Sequence, residues 1–208
     1  MKNPSNNFLD DVIHILKRRY HVVKYKDEPL HVLFTTLLSQ RTRDEITHEA
    51  SKKLFKKFKK IDDFINADVK EIEETIRPVG FYRIKAKRIK EIAKILKERY
   101  NGKVPREREV LINLPGVGKK TADCVLCFGY GVATIPVDVH VAVVAKRLGI
   151  VDEKDGYEKI KEKIEALVKE KDKKLVNFLF VEFGKEICRT SKPKCEMCPI
   201  KRFCRYVN

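Results

Sequence analysis

A glycine-rich turn that leads into an apolar segment restricts the fold of this chain most. Residues 114–140 read LPGVGKKTADCVLCFGYGVATIPVDVH. Gly116 and Gly118 can adopt positive φ at no steric cost, so the chain can reverse between two helices within a few residues. The first N–H groups of the second helix then lack helical partners and can bind a phosphate. The pattern predicts a helix–hairpin–helix that grips a DNA backbone, with Lys119 and Lys120 beside it, although an ordinary helical hairpin with two surface lysines shares the pattern.

The charge of the chain favours a polyanionic partner. Lys and Arg number 46 against 30 Asp and Glu, which gives a net charge of +16 over 208 residues. Nucleic acid is the leading candidate for so basic a protein. No apolar run is long enough to span a bilayer, and residues 1–10 lack the apolar core of a signal peptide. We therefore expect an intracellular, cytoplasmic or nucleoid-associated prokaryotic protein, monomeric and without membrane contact. Abundant lysine and a single glutamine are typical of a thermophile.

Apolar residues recur at helical spacing along nearly the whole chain, and no segment alternates as a strand does. We predict an all-α protein. Asp27 is expected to cap a first helix that carries Pro29 in its opening turn, and Thr42 with Glu45 is expected to form a capping box. Asn101-Gly102 is a stop signal. The stripes and their boundaries predict helices at 8–16, 30–39, 42–58, 69–76, 89–96, 105–111, 121–128, 139–148, 157–168 and 175–187.

The six cysteines fall into two groups. Cys124 and Cys127 share one face of the predicted hairpin helix, and we interpret them as small core residues. The other four lie in a basic C-terminal tail with the spacing C-x6-C-x2-C-x5-C: Cys188, Cys195, Cys198 and Cys204. Four thiolates can hold zinc or a [4Fe–4S] cluster, and the spacing does not choose between them. Disulfides are the less favoured alternative in an intracellular protein. A metal there would pin a basic loop in which Lys192 is a candidate phosphate contact.

Taken together, these stretches resemble the endonuclease III family, DNA repair glycosylases of the helix–hairpin–helix superfamily. The resemblance rests on LPGVGKKTA from residue 114, VDVH from 137, the four-cysteine tail, GFYRIKA from 80 and the LLS…D pattern over 37–44. It covers about four-fifths of the chain at similar spacing. The co-occurrence of hairpin lysine, aspartate and cysteine tail is specific to this family.

The resemblance implies two helical domains that hold duplex DNA, with damaged bases or abasic sites, in the groove between them. One is a six-helix domain of continuous chain at 22–133, which contains the hairpin. The other combines 1–21 with 134–208 and holds a [4Fe–4S] cluster on the four tail cysteines. The resemblance, and not the spacing, selects iron–sulfur over zinc. In this family the cluster is usually taken as structural.

The resemblance also implies the chemistry. Lys120 matches the nucleophile that attacks C1′, releases an oxidised pyrimidine and leaves a Schiff base, after which β-elimination cleaves the strand on the 3′ side. An ordinary lysine with a pKa of about 10.4 is almost wholly protonated at neutral pH. We expect a desolvated pocket, the helix start and Lys119 to lower that pKa. Asp138, an expected N-cap, would stabilise positive charge on the sugar and assist deprotonation. His140 is expected to be a structural hydrogen-bonding residue.

One stretch departs from the family pattern. The family usually places Gln two residues after the serine that here is Ser39, where this chain has Arg41 and carries Gln40 one residue earlier. That glutamine normally enters the space left by the extruded base, so either residue here is a candidate for the gap. Phe81, at the wedge position, is larger than the expected aliphatic residue. The opposite-base preference therefore stays open.

Two other functions stay open as well. Monofunctional mismatch glycosylases, which remove thymine, uracil or adenine, share the fold but lack the lysine and use the aspartate with water. A relative specialised for 8-oxoguanine would keep the lysine. A non-catalytic DNA-binding module would account for the charge and for both phosphate grips, but it has no need of an acid such as Asp138 beside the DNA.

Overall fold

The computed structural model describes residues 8–21 and 27–207, and all regular structure within them is helical. This confirms the predicted all-α class. The described residues fold as two compact units. The central unit comprises 27–130, and the terminal unit comprises 8–21 with 131–207. The predicted division after residue 133 lies three residues beyond the observed one, and the predicted boundary at 22 lies outside the described residues.

The helices are numbered in chain order. The terminal unit contains α1 (Phe8–Arg19), α9 (Val139–Arg147), α10 (Tyr157–Leu167) and α11 (Lys173–Glu186), with 3-10 turns at Glu170–Asp172, Cys195–Met197 and Lys201–Phe203. The central unit contains α2 (Pro29–Ser39), α3 (Asp44–Lys57), α4 (Ile61–Asn66), α5 (Val69–Thr75), α6 (Tyr82–Tyr100), α7 (Arg108–Ile112) and α8 (Lys119–Cys124). The central unit therefore has seven described α-helices where the resemblance implied six.

The short α4 is the helix that the sequence pattern missed. Its six residues hold too few apolar positions to show a periodic stripe. A tertiary contact and a local cap stabilise it instead. Phe64 is fully buried against Phe34, with ring centroids 5.0 Å apart in an edge-on arrangement. Asp63 accepts hydrogen bonds from the backbone N–H groups of Lys59 and Lys60, at 2.8 and 2.9 Å.

Two predicted helix caps are wrong and one stop signal is confirmed. Glu28, and not Asp27, is the N-cap of α2, with Pro29 in the first turn as expected. Arg43 is the N-cap of α3, and the Thr42 hydroxyl is engaged elsewhere, so no capping box forms. At the end of α6, Asn101 and Gly102 both adopt positive φ, and the Gly102 N–H donates to the Leu96 carbonyl at 2.8 Å. That pair closes the helix as the sequence predicted.

The helix of the hairpin ends in a tighter contact than its sequence indicates. α8 continues as a π-helical turn over Val125–Gly129, closed by the Tyr130 N–H on the Val125 carbonyl at 3.1 Å. A side chain at Gly129 would lie 2.9 Å from Cα of Pro29. The end of α8 therefore packs backbone to backbone on the start of α2. Cys124 and Cys127 are buried, which confirms the core interpretation.

The core of the terminal unit forms where α9 and α11 pack on each other, with α1 against α11. Fully buried apolar side chains fill it, among them Leu9, Leu16, Val141 and Phe180. The stripe at 8–16 thus serves this core, although it lies more than a hundred residues from its partners in sequence. Among the described residues, no helix has both the length and the apolar character that membrane crossing demands.

Candidate nucleic-acid interface and metal centre

The predicted hairpin forms, but its two glycines differ. α7 and α8 are joined by a turn in which the Val117 N–H donates to the Leu114 carbonyl at 3.0 Å. Gly116 has φ +76°, and a side chain there would lie 2.7 Å from the Arg88 side chain. Gly118, the N-cap of α8, has φ −98° and ψ 178°. Of the two glycines that can adopt positive φ, only Gly116 does so, because extended backbone suffices at the helix cap Gly118.

A buried ion pair holds the two arms of the hairpin together. Arg108 on α7 donates from Nε and Nη2 to the two carboxylate oxygens of Asp123 on α8, at 2.8 and 3.1 Å. The Asp123 side chain is fully buried. Such a bidentate pair fixes orientation as well as distance. The pair was not predicted from the sequence, although Asp123 gave a signal for it: an acid on the apolar face of a predicted helix requires a partner.

The hairpin presents its two lysines at the beginning of α8. Lys119 and Lys120 directly follow Gly118 and are both exposed. The expectation that a desolvated pocket surrounds Lys120 is therefore wrong for the protein by itself. The N-cap residue Gly118 provides no side-chain hydrogen bond, and nothing lies within 4 Å of the position where a side chain at Gly118 would begin. The space beside this glycine is therefore open.

Asp138 occupies the predicted N-cap, in the terminal unit. Its Oδ1 accepts a hydrogen bond from the Val141 N–H at 2.9 Å, and its backbone carbonyl accepts the Ala142 N–H at 2.9 Å. Asn177 on α11 anchors the preceding segment by donating to the Pro136 carbonyl at 2.8 Å. The carboxylate is thus held at the positive end of α9.

The prediction that His140 forms structural hydrogen bonds is wrong for its Nδ1 atom. That buried nitrogen has no hydrogen-bond partner among the described residues. The ring instead packs against α11 at Gly184, where a side chain would lie 2.7 Å from Nδ1. The residue therefore fills a close helix contact.

The structure brings together the three residues predicted to lie at the gap left by a flipped base. Gln40, Arg41 and Phe81 line one open surface cavity. The Arg41 guanidinium lies 5.6 Å from the centroid of the Phe81 ring. Both Arg41 and Phe81 have positive φ, 52° and 58°, which is costly for large side chains. Gln40, by contrast, donates its amide to the Gly116 carbonyl of the hairpin at 3.0 Å.

Three further residues complete that cavity, and none of them is among the predicted site residues. They are Ile84, Lys85 and Arg88, all on α6. Phe81 and Ile84 are 58% and 50% exposed, so together they form an apolar surface at the start of α6. Lys85 is buried, and burial together with Arg88 lowers its pKa to about 8. The sequence indicated this residue only by its position, because Lys85 stands on the apolar stripe of a helix.

The four tail cysteines line a second cavity, within the terminal unit. Arg147 on α9 organises this loop: its Nη1 donates to the Cys188 carbonyl at 3.0 Å and lies 3.2 Å from the Cys188 sulfur. Burial raises the pKa of the thiols of Cys188 and Cys198. Within the described part of the chain, no three metal-ligating side chains stand close enough to share one ion. The fit to a prosthetic group rests on the donor set and the shared cavity.

Lys192 lies in the same loop. It is exposed and has φ +50°, so the backbone turns sharply between the first two cysteines. The side chain is thus presented outward, as a phosphate contact requires.

Comparisons with known proteins agree with this arrangement. A family model described as an HhH-GPD superfamily base excision DNA repair protein matches residues 34–170. Endonuclease III of Thermotoga maritima is 38% identical over 198 residues, which cover 95% of this chain and 92% of the relative. A trapped covalent intermediate of endonuclease III with DNA superposes with a TM-score of 0.88 at 30% identity, over 98% of this chain and 97% of that one.

A thermostable thymine-DNA glycosylase superposes equally well. Its TM-score is 0.88 at 26% identity, and the match covers 99% of both chains. The central hairpin, the capping aspartate and the cysteine tail thus stand in a fold that family model, relatives and solved structures share. The chain belongs to the HhH-GPD superfamily of base excision DNA repair proteins and, within it, to the endonuclease III family of DNA glycosylases and AP lyases.

Proposed function

We propose that the chain removes oxidised pyrimidines from duplex DNA through a Schiff base on Lys120 and then cleaves the strand 3′ to the abasic site. The observation that carries the proposal is the open start of α8. There an exposed lysine follows a glycine cap that has open space beside it. A DNA backbone bound at this helix start would bring C1′ of a flipped nucleotide to the exposed Lys120.

Each chemical step has a source for its electrons and protons. The neutral Lys120 amine attacks C1′ and passes a proton to Asp138, and the base departs with the electrons of the glycosidic bond and takes up that proton. The nitrogen then loses its second proton, and its lone pair opens the C1′–O4′ bond, so O4′ becomes a hydroxyl and the imine forms; once protonated, the imine acidifies the C2′ proton. Water removes the C2′ proton, the C3′–O3′ bond breaks with O3′ leaving as the phosphate, and a second water hydrolyses the imine and restores the amine. Because Lys120 is exposed in the protein alone, bound DNA must exclude water from it and so favour the neutral amine.

Asp138 is proposed as the acid of the site. Its carboxylate is fixed by the cap on α9 and cannot rotate away without losing the bond to the Val141 N–H. A fixed anion stabilises the positive charge that builds on the sugar as the base departs, and it accepts a proton from the attacking group. Cap and catalyst are therefore compatible roles for one side chain.

Arg41, and not Gln40, is proposed to enter the gap left by the flipped base. The Gln40 amide is already engaged with the hairpin carbonyl, whereas the exposed Arg41 lies over the wedge Phe81. Phe81 would stack into the gap. Arg offers hydrogen-bond donors only, and guanine presents the O6 acceptor where adenine presents its N6 amino donor, so Arg41 suits guanine better than adenine. We therefore expect lesions opposite guanine to be preferred.

Cys188, Cys195, Cys198 and Cys204 are proposed to hold a [4Fe–4S] cluster. The family resemblance and the four thiols around one cavity support this assignment. When bound, the cluster would cross-link the tail and take no part in base removal. The basic loop with Lys192 would then be rigid enough to contact phosphate. A broad visible absorbance with four irons per chain would support the cluster, and zinc in its place would refute it.

Borohydride trapping tests the central claim. Borohydride reduces an imine to a stable secondary amine, so a duplex with thymine glycol, or with an abasic site, should yield a covalent protein–DNA band. We expect Lys120→Ala to reduce the band at least about 1,000-fold, because no other group replaces the nucleophile. Lys119→Ala is the matched control, one residue away and equally exposed, and should retain it within about tenfold. Absence of a band from the wild-type protein on both substrates would sink the proposal.

A mismatch glycosylase is the second candidate. It is favoured by Arg41 in place of the family glutamine and by the likeness to a thermostable thymine-DNA glycosylase. Release of thymine or uracil from mispairs with guanine, without a trapped band, would establish it. Membership of an enzyme family argues against the non-catalytic DNA-binding module.

A further inference from the structure

Lys85 is a buried cation that the proposed chemistry does not use. Only 2% of its surface is exposed, although it lies in the second turn of α6 beside the cavity of Arg41. Burial of an ammonium group is costly unless its donors are matched. Here three oxygens match them. Nζ donates to the Leu38 carbonyl at 2.8 Å, to the Gln40 carbonyl and to the Thr42 hydroxyl at 3.2 Å.

These oxygens belong to the end of α2 and the loop that follows it. The last carbonyls of a helix lack partners within the helix and carry partial negative charge. The Lys85 ammonium supplies both a donor and a counter-charge, so it acts as a C-terminal cap contributed by another helix. No carboxylate is among its hydrogen-bond partners in the described residues. Burial first, and Arg88 second, lower its pKa to about 8.

The same contacts enclose Arg41. Lys85 binds the residue before it, through the Gln40 carbonyl, and the residue after it, through Thr42. The Thr42 hydroxyl also accepts the Gly80 N–H at 3.2 Å, and a side chain at Gly80 would lie 2.6 Å from the Arg41 carbonyl. The loop is thus tied to the start of α6, where Phe81 lies. Arg41 is held in left-handed backbone by its neighbours, and its own side chain takes no part in these bonds.

We propose that Lys85 is a positioning residue for opposite-base selectivity: its amine fixes the loop around Arg41, and so sets where the Arg41 guanidinium stands in the gap. This rests on the proposed role of Arg41. Lys85 itself does not reach DNA, because its amine is buried and its donors are committed to the protein. Without the amine, the loop end would relax. Arg41 would then lose its fixed direction, while the hairpin and Lys120 stay as they are.

Binding selectivity tests this without any chemical step. The probes are duplexes with a tetrahydrofuran abasic-site analogue opposite G, A, C or T. We expect wild-type protein to bind the duplex with guanine opposite at least about fivefold tighter than the one with adenine. Lys85→Met keeps the length of the side chain and removes the amine, and should bring that ratio below about twofold. Affinity for undamaged duplex should be unchanged. Lys87→Met, on the exposed face of the same helix, is the matched control and should keep the wild-type ratio.

Thr42→Val provides a milder variant if Lys85→Met does not fold, as judged by circular dichroism. It removes one of the three acceptors and should lower the ratio, whereas Thr42→Ser retains the hydroxyl and should restore it. A wild-type ratio of one, or a Lys85→Met ratio equal to that of wild type, would overturn the proposal. So would a uniform loss of affinity across all four opposite bases. Failure of the borohydride test leaves this binding ratio measurable, so the two proposals fail independently.

Discussion

The helices α8 and α9 begin in different ways. The first N–H groups of α9 are capped by a side chain of the protein, whereas α8 begins at a glycine, beside which a ligand has room to bind. α9 is capped by its own Asp138, whose carboxylate binds the Val141 N–H. α8 begins at Gly118, with no side-chain cap and with open space beside it. Both helix starts carry a proposed catalytic residue. One is an anion held by its own helix cap, and the other is an exposed lysine that follows a glycine cap.

After the loss expected for Lys120→Ala, the largest effect concerns the start of α9, which Asp138 caps. Asp138→Asn should reduce single-turnover base release at least about 100-fold, because the fixed charge is lost. Asn caps a helix as well as Asp, so the free energy of unfolding should change by less than about 0.5 kcal/mol. Urea unfolding and single-turnover kinetics measure the two effects.

Asp138→Ala is the companion variant, because it removes cap and charge together. It should lose activity to the same extent and also about 1 kcal/mol of unfolding free energy. If Asp138→Asn keeps full activity and only Asp138→Ala loses it, Asp138 acts as a helix cap and has no catalytic role.

The second prediction concerns a variant that gives α8 an aspartate at its N-cap, as α9 has. Gly118→Asp should place a carboxylate where the DNA phosphate is expected, and so reduce affinity for duplex DNA at least about tenfold. Stability should rise by a few tenths of a kcal/mol or stay level, because the new side chain caps α8. Gly118→Ser adds a cap without charge and should lose much less affinity. If the aspartate and serine variants lose the same affinity for duplex DNA, the size of the new side chain, and not its charge, causes the loss.

The smallest effects compare the two hairpin glycines. Gly116→Ala should reduce the free energy of unfolding by about 1–2 kcal/mol, since φ is +76° and the Arg88 side chain lies in the way. Gly118→Ala should change it by less than about 0.5 kcal/mol, because its backbone is extended and the space is open. Urea titrations of both variants settle the point. A large loss at Gly118 would show that the protein itself requires glycine there.

Much of the fold follows from local pattern. The long stripes of α3, α6, α10 and α11, the stop at Asn101-Gly102 and the Asp138 cap all depend on neighbours within a turn or two, which the sequence displays. The hairpin and the family are predictable for a similar reason, because the motif residues are contiguous. The catalytic and DNA-contact roles stay predictions until the variants above are measured.

The wrong local predictions share one physical cause: a residue far away in the sequence makes the contact that decides the local structure. The local pattern predicts that Thr42 caps a helix, but its hydroxyl instead accepts hydrogen bonds from the Gly80 N–H, just before α6, and from the Lys85 amine on α6. α4 lacks a stripe and is held by the contact of Phe64 with Phe34. A local sequence pattern does not show which of several possible donors will bind a given oxygen in the folded protein.

The sequence by itself therefore determined the helical class, the hairpin, the cysteine tail and the family, since each is written in residues close together in the chain. Only the tertiary structure decided that Gln40 is engaged with the hairpin while Arg41 lies over Phe81. Only it showed that a lysine on a core stripe binds the loop between α2 and α3. The physical reason is that a buried donor must find an acceptor, and which acceptor it finds depends on how helices far apart in sequence pack together.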